Sequence, residues 1–499
     1  MHGVALLTLD DVLERCERVL SASPADATTL VWLEIGRAEA EAGRRRGGDA
    51  PPPARERSVL VRVEERGRVG FHRTGAESVG ELENALRCAL GQAKSDPPAA
   101  DSITPSHPQP LSLPQGGREA PLPARGDGFT GSESSGSSAP VASVGRGDGC
   151  GDASAAPAEQ AAATVPPGSF DPELARLSPG DAAKILQRGL DKDERAALSW
   201  AQAHVVVADS VGLRRAAAVT AATLTVRAGH GPGAGRAAAS ARSLAALGAE
   251  RVRDRARARR AGEAAAGEWR TDGGPTAVVL APEAVVRLVE LLNRHALSAR
   301  TFRDGGSALA AALGRRLFDP ALTLRDDGTD PAGLPFSFDL AGVAKRLLDL
   351  VAAGVVATPA VDAELAAARG LAPTPHSLAG DDSRAENLFL VPSQLDDGAL
   401  AAAAAGDGLW IGWLDRVECF DPPTLRFRAR ARGVRRLVDG VPGPAVGDLV
   451  WEDSLLRLFA AVAGIGSHPV VLATDGGILG AVSAPAVAFP AAVGLRPAG

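Results

Sequence analysis

Tyrosine is absent from the 499 residues, methionine occurs once, and aromatic residues make up only 4%. Lysine is scarce, and arginine carries nearly all of the positive charge. Alanine, glycine, arginine and proline abound instead, which points to a GC-rich coding sequence rather than to a function. This bias blurs local propensity, because alanine fills positions of every kind. The four cysteines, Cys16, Cys88, Cys150 and Cys419, lie far apart. They make neither a disulfide framework nor a Cys-x-x-Cys metal clip, so a reducing cytoplasm is the expected home. No apolar run reaches the roughly 18–20 uncharged residues of a membrane helix. The alanine-rich stretch 399–405 is short and bounded by Asp396, Asp397 and Asp407. The first ten residues have no basic region ahead of an apolar core, and no secretory leader is expected.

A basic surface is missing as well. The formal net charge is -6 and the pI is near 5.9. Phosphate binding needs a basic face, so nucleic acid is excluded as a main partner. The one strongly basic run, 251–260, is interrupted by alanine at helical spacing and reads as a solvated helix face. The length suits two domains, and 45% hydrophobic residues with a mean hydropathy of +0.01 suit a globular chain.

Composition marks one boundary. Residues 96–168 are proline, glycine, serine and alanine, including PSHPQPLSLPQGG and GSESSGSSAP. Such a segment cannot bury enough apolar area to offset its ordering entropy, and it reads as a disordered insertion. Before it, 8–20 predicts a helix capped by Thr8 or Asp10, with Val12, Leu13, Cys16, Val19 and Leu20 on one face. Strands are expected at 28–38, 58–66 and 68–72, the last two joined by a turn at Arg66-Gly67. Ser78 with Glu81 is a capping-box pattern for a helix over 78–93. After the insertion, 178–189 predicts a helix with Pro179 in its first turn, 203–209 and 218–229 predict strands, and 243–266 a long arginine-rich helix. An N-terminal α/β domain, 1–268, follows. A linker at 269–275 opens a second domain, 275–499. It begins with a strand at 276–280 and an amphipathic helix at 282–296, whose Val285, Leu288, Val289 and Leu292 point inward. From Leu317 on, short strands punctuated by glycine predict an antiparallel β-rich domain, with one late helix at 453–463. The expected class is α+β.

The order of these segments resembles that of the TldD/PmbA family, in which PmbA is also called TldE. SVLVRVEERGRVGFHRTGAES and ELENALRCALGQAKSDP are similar to its opening. VVVADSVGLRRAAAVTAATLTVRAGHG resembles its Asn-Ser-x-Gly turn segment, with Asp209 where Asn is usual. TAVVLAPEAVVRLVELL, SALAAALGRRLFDPALTLRDDGTDPAGLPFSFDLAGV, LLDLVAAGVV, AENLFLVPS, ARGVRRLVDGVPGPAVGD and LLRLFAAVAGIGS follow in the family's order. The resemblance implies a relative of a zinc metallopeptidase. Its TldD-type member carries a His-Glu-x-x-x-His helix and a cysteine near the C-terminus; its TldE-type member lacks those ligands. The two form a cytosolic complex that degrades or matures peptides, and older descriptions call the proteins modulators of DNA gyrase.

Catalytic zinc needs three protein ligands and an open position for water. None of the eight histidines (His2, His72, His107, His204, His230, His295, His376, His468) has a second histidine one helical turn away, and none is followed by glutamate. The motif helix should fall on 282–295, which reads PEAVVRLVELLNRH. Glu283, Glu290 and His295 remain as a degenerate motif, five residues separating the last two, and the helix reads as core-facing with its polar residues outside. The C-terminal loop 473–482, ATDGGILGAV, has no thiol, and Cys419 reads as a small buried hydrophobe. Ala341 in FSFDLAG stands where the family has Glu. Asp326, Asp327 and Asp330 read as a solvated turn, and His376, Asp381, Asp382 and Glu386 as a surface loop. His204, Asp209 and Ser210 lie along one strand and its turn, which holds the side chains of a would-be triad apart. The loop 229–235, GHGPGAG, lacks the Lys-Ser/Thr of a phosphate loop.

The resulting expectation is a TldE-like subunit with no catalytic residues, no metal and no cofactor of its own. Zinc is expected only in a TldD-like partner. Peptide substrates could add to a strand edge near Asp339, Gly342, Glu386 and Asn387. The alternatives are a stand-alone homodimeric peptide-binding or scaffold protein, or an independent hydrolase built on acids such as Asp339 and Glu386 that converge in space. Neither nucleic acid nor membrane is an expected partner; a heterodimer or a homodimer is.

Overall fold

The structure is a computed structural model that describes residues 5–43, 52–95, 166–260, 269, 274–303, 306–378, 383–403, 408–474 and 478–498. The expected insertion at 96–168 lies outside the described residues apart from its last three.

The N-terminal half is one antiparallel sheet with helices on one face. Its strands are β1 (Ala27–Gly43), β2 (Ala54–Glu65), β3 (Arg68–Thr74), β4 (Glu194–Asp209), β5 (Arg214–Ala228) and β6 (Gly235–Ala241). They lie in the order β3-β2-β1-β4-β5-β6. Side chains alternate between faces along each strand. On one face Leu30, Trp32, Val59, Val61 and Val206 pack under α1 (Leu9–Ser21) and α2 (Val79–Ser95). Further along that face Ala40, Leu198, Trp200, Leu224 and Val226 pack under α3 (Pro172–Arg176), α4 (Pro179–Gln187) and α5 (Ala249–Ala258). The helix starts carry their own chemistry. The Thr8 and Ser178 hydroxyls accept from Asp11 and Asp181 N–H, and Glu81 accepts the N–H groups of Glu77 and Ser78 at 2.7 and 2.9 Å.

One sequence expectation needs correction here, and one strand had no expectation at all. The long helix over 243–266 begins only at Ala249, because Gly248 stands in the left-handed region with φ 57 and ends the turn before it. Ahead of it the alanine-rich segment 235–241 is a strand, fixed by its ladder to β5, a pairing that alanine content does not reveal.

The C-terminal half has two sheets. One runs β10-β9-β8-β11-β18-β17, made of β8 (Leu324–Asp326), β9 (Leu348–Ala352), β10 (Val355–Val356), β11 (Asn387–Leu390), β17 (Val470–Ala473) and β18 (Ala481–Ala484). The other runs β16-β19-β7-β12-β13-β15-β20, with β14 (Val441–Ala445) on β13. Its members are β7 (Thr276–Leu280), β12 (Leu409–Asp421), β13 (Arg426–Val438), β15 (Leu449–Ser454), β16 (Gly464–Ile465), β19 (Val487–Ala492) and β20 (Leu495–Pro497). Most pairs are antiparallel; β11–β18 and β7–β12 are parallel. α6 (Pro282–Ala296) is buried in the largest core, which draws on both sheets. The expected late helix over 453–463 shrinks to Leu455–Phe459, because Asp453 and Ser454 are held in the β13–β15 ladder opposite Phe427 and Arg426.

The second face of the N-terminal sheet differs along its length. At one end Val31, Ile35, Ala203, Val205 and Val219 pack against Leu334, Phe336, Phe338 and Ile478 of the C-terminal half. At the other end the same face carries Glu39, Glu41, Ala197, Thr225 and Arg227, which line a cavity.

Candidate functional site

α6 occupies the place of the expected motif helix. Pro282 opens it at a position where no N–H is needed. Val285, Val286, Leu288, Val289 and Leu292 are buried. Contrary to expectation, so are Glu283, Glu290 and Asn293. A helix enclosed by two sheets has little solvent side, and its polar residues must find partners inside. The Glu283 carboxylate accepts Arg259 Nη1 at 2.8 Å on both oxygens, and the Ala238 N–H at 3.2 Å. Glu290 pairs with Arg287 at 3.0 Å, and Asn293 Nδ2 donates to the Ala385 carbonyl at 2.8 Å. His295 is half-buried, and burial followed by the neighbouring Arg294 charge lowers its pKa.

These residues do not fit zinc. Glu283 and Glu290 are seven residues apart, about 10.5 Å along the axis, and cannot share an ion. Three of the roughly four lone-pair sites of the Glu283 carboxylate are taken, two by Arg259 and one by the Ala238 N–H, and a zinc ion on the remaining one would sit beside the Arg259 cation. Among the described residues no group of three His, Cys, Asp or Glu side chains is arranged to hold a metal ion.

The acids that do converge surround Lys345. Its Nζ donates to Glu386 Oε2 at 2.6 Å. Asp326 Oδ1 accepts the N–H groups of Glu386 and Asn387 at 2.9 and 2.8 Å, and its Oδ2 meets His376 Nε2 at 2.8 Å. Asp339 accepts the N–H groups of Ala341 and Val343 at 2.9 Å and of Ser377 at 3.0 Å. Asn387 Oδ1 accepts from Leu334 N–H at 2.9 Å, and a Cβ on Gly333 would collide with this amide. Gly342, at φ 80, leaves room for Leu213 from the N-terminal half. Burial alone would lower the Lys345 pKa, yet Glu386, Asp326 and Asp339 hold it above the usual range. Burial alone would raise Asp326, yet His376 and Lys345 keep it below the usual range. Burial prevails at Asp339, whose pKa is raised in spite of its three backbone donors.

Asp326 is thus fully buried rather than part of a solvated turn, and His376 is buried rather than on a surface loop. The β8–β11 ladder puts Asp326 opposite Leu388, which draws the two distant segments together. Asp327 and Asp330 do form turns, each accepting an N–H two residues on. Asp381 and Asp382 lie outside the described residues. Asp339 and Glu386 meet as counter-charges of an enclosed cation, with 1% of the Lys345 side chain exposed. Asp339 is buried, while Glu386 keeps 15% of its side chain exposed. One signal in the sequence could have found this cluster: in a chain that uses arginine almost everywhere, a lysine at 345 marks a site that wants a compact charge rather than a fork.

The remaining expected constellations separate. His204 Nδ1 lies 2.7 Å from the Leu7 carbonyl, Asp209 accepts the Val211 and Leu213 N–H groups of its own turn, and Ser210 Oγ accepts from Thr28 N–H. Cys419 is half-buried at the edge of the main core, and burial raises its pKa. Of the loop 473–482, residues 475–477 lie outside the described residues. Ile478 and Leu479 are buried between the two halves. Arg242 meets them there. Its guanidinium donates to the carbonyl oxygens of Thr220, Ile478, Leu334 and Pro335 at 2.6–3.1 Å, and burial pushes its pKa down to about 9.

The cavity at the uncovered end of the N-terminal sheet holds about 1540 Å³. β1, β4 and β5 form one wall, and Trp410, Trp413, Asp415 and Arg432 of β12 and β13 form another. The Arg236 guanidinium lies over the Trp413 ring, 3.7 Å from its centroid. Sequence reasoning missed this cavity.

Residues 273–493 match a family model described as the PmbA/TldA metallopeptidase C-terminal domain. No curated protein matches the chain. Three solved structures share the fold over nearly its whole length. TldE from Thermococcus kodakarensis has a TM-score of 0.67 and 16% identity, with 98% of this chain and 100% of that one covered. A candidate modulator of a DNA gyrase from Thermotoga maritima MSB8 has a TM-score of 0.69 and 17% identity, covering 97% and 100%. A candidate modulator of DNA gyrase from Bacteroides thetaiotaomicron VPI-5482 has a TM-score of 0.66 and 15% identity, covering 99% and 100%. The fold is α+β, and the family model relates its C-terminal region to a metallopeptidase domain. Residues 273–493 are similar to the C-terminal domain of the PmbA/TldA metallopeptidases, and the whole chain shares its fold with TldE.

Proposed function

We propose that this chain is a metal-free, TldE-like subunit. It pairs in the cytoplasm with a separate TldD-like chain that carries the zinc, and the pair degrades or matures peptides. The observation that carries this reading is the engagement of Glu283. The acid on the motif-position helix is held by Arg259 on both oxygens, inside an apolar helix with no second ligand beside it. One Arg259 nitrogen, Nη1, is shared by both oxygens and already supplies the positive charge that this carboxylate needs. In this reading the chain divides into a domain at 1–268 and a domain at 275–499. Asp339, Gly342, Glu386 and Asn387 then hold the loops beneath a peptide site in shape rather than touch the peptide.

The test is metal analysis of the purified chain, with peptidase assays on the chain alone and mixed with a TldD-like chain. The expected outcome is no stoichiometric zinc, no activity alone, and co-purification with the partner. Stoichiometric zinc or peptide cleavage by the chain alone overturns the proposal.

A further inference from the structure

Arg195 on β4 stands directly opposite Arg227 on β5, and Arg227 directly opposite Arg236 on β6. All three line the cavity. Like charges in register across a ladder weaken a sheet. A row of guanidiniums is therefore poor at holding strands together and good at holding an anion. Arg236 is already answered, by Asp415 at 3.7 Å and by the Trp413 ring. Arg195 and Arg227 are not: among the described residues neither has a carboxylate within ion-pair distance, and Arg227 reaches only the Gly231 carbonyl at 3.4 Å. At Gly43, on the neighbouring strand, an added Cβ would meet the Glu194 carbonyl oxygen at 2.6 Å and Arg195 Cα and Cγ at 3.0 Å. The glycine there, at φ 122, serves first the close approach of the two backbones.

We propose that this row binds the free carboxylate end of a short peptide lying in the cavity. The inference rests on the subunit reading for the claim that the ligand is a peptide. The volume, about 1540 Å³, gives room for a short peptide beyond its carboxylate, which an inorganic anion would leave unfilled. The sign of the rim decides against a polyanion. Glu39 and Glu41 on β1 line the far edge, so the field changes sign across the sheet. A zwitterionic chain suits such a field and a nucleic acid does not. Trp410 and Trp413 give its side chains an apolar wall.

Calorimetric titration of the full chain with tetra-alanine, with tetra-alanine amide and with inorganic phosphate tests this. The free acid binds, and the amide binds about tenfold more weakly or worse. The double variant Arg195→Gln/Arg227→Gln loses about tenfold or more for the acid and changes little for the amide. Arg227→Gln alone shows part of the loss. Arg18→Gln, an exposed control on α1, changes neither. Equal binding of acid and amide, unchanged binding by the double variant, binding of phosphate as tight as the acid, or no binding of the acid overturns the assignment. Any of these leaves the subunit reading standing, since that depends on zinc content and pairing. Zinc in the chain, conversely, overturns the subunit reading and leaves the anion row untouched.

Discussion

The protein has two concentrations of charge, and they were built in opposite ways. Around Lys345 a cation, four acidic or imidazole groups and several backbone donors close on one another through direct hydrogen bonds. At the end of the N-terminal sheet Arg195 and Arg227 face each other over open space with no acid in reach among the described residues. The first arrangement pairs its charges with one another inside the fold. The second is incomplete as it stands, which is what a binding surface requires. Charge type does not separate a structural cluster from a candidate site. Closure does.

Three changes break or sharpen that contrast. The largest effect is expected at Lys345. Lys345→Met leaves Glu386, Asp326 and Asp339 buried without their cation and should cost about 3–5 kcal/mol in urea denaturation at neutral pH. Adding Glu386→Gln should recover part of it. A loss below about 1 kcal/mol would mean that the cluster is wetter than its geometry implies.

Acid titration should have an intermediate effect, with two opposite signs. The Asp326 pKa is depressed in the fold. Its contribution is present above the unfolded value of about 3.9 and is lost as pH falls through the lower folded value. The Asp339 pKa is raised, so its protonation favours the fold as pH drops from its raised value toward about 3.9. In denaturation midpoints measured between pH 2 and 7, Asp326→Asn should flatten the fall at the acid end. Asp339→Asn should remove the rise that precedes it.

The smallest change in stability is expected at the open row. Arg195→Gln/Arg227→Gln should alter thermal unfolding by no more than about 0.5 kcal/mol, and toward greater stability, because a like-charge pair is relieved. A loss above about 1 kcal/mol would make the row part of the framework.

What the sequence disclosed follows how far apart the interacting residues are. Elements that carry their own signals were legible: the Ser78–Glu81 capping box, the Thr8 cap, and α6 to the residue, since proline and apolar spacing act within a few positions. Where the signal was alanine, it failed, as at β6 and at the start of α5. The clusters were illegible for another reason. Asp326 and His376 are fifty residues apart and meet because one ladder joins β8 to β11. Arg195, Arg227 and Arg236 become a row through strand register alone, and register is set by the whole sheet. The family resemblance supplied the order of segments and the place of the motif helix. It could not say that Glu283 faces Arg259.

Arg242 bears on how the protein can be handled. One guanidinium from the end of the N-terminal segment ties carbonyl oxygens on β5 to others at 334, 335 and 478. Glu283 makes a second tie, from α6 back to β6 and α5. Cutting the chain near 270 would therefore separate a buried cation from three of its four carbonyl acceptors. Neither fragment is a natural unit for expression, and a reconstitution from two separately made halves would begin from two sticky, half-finished proteins.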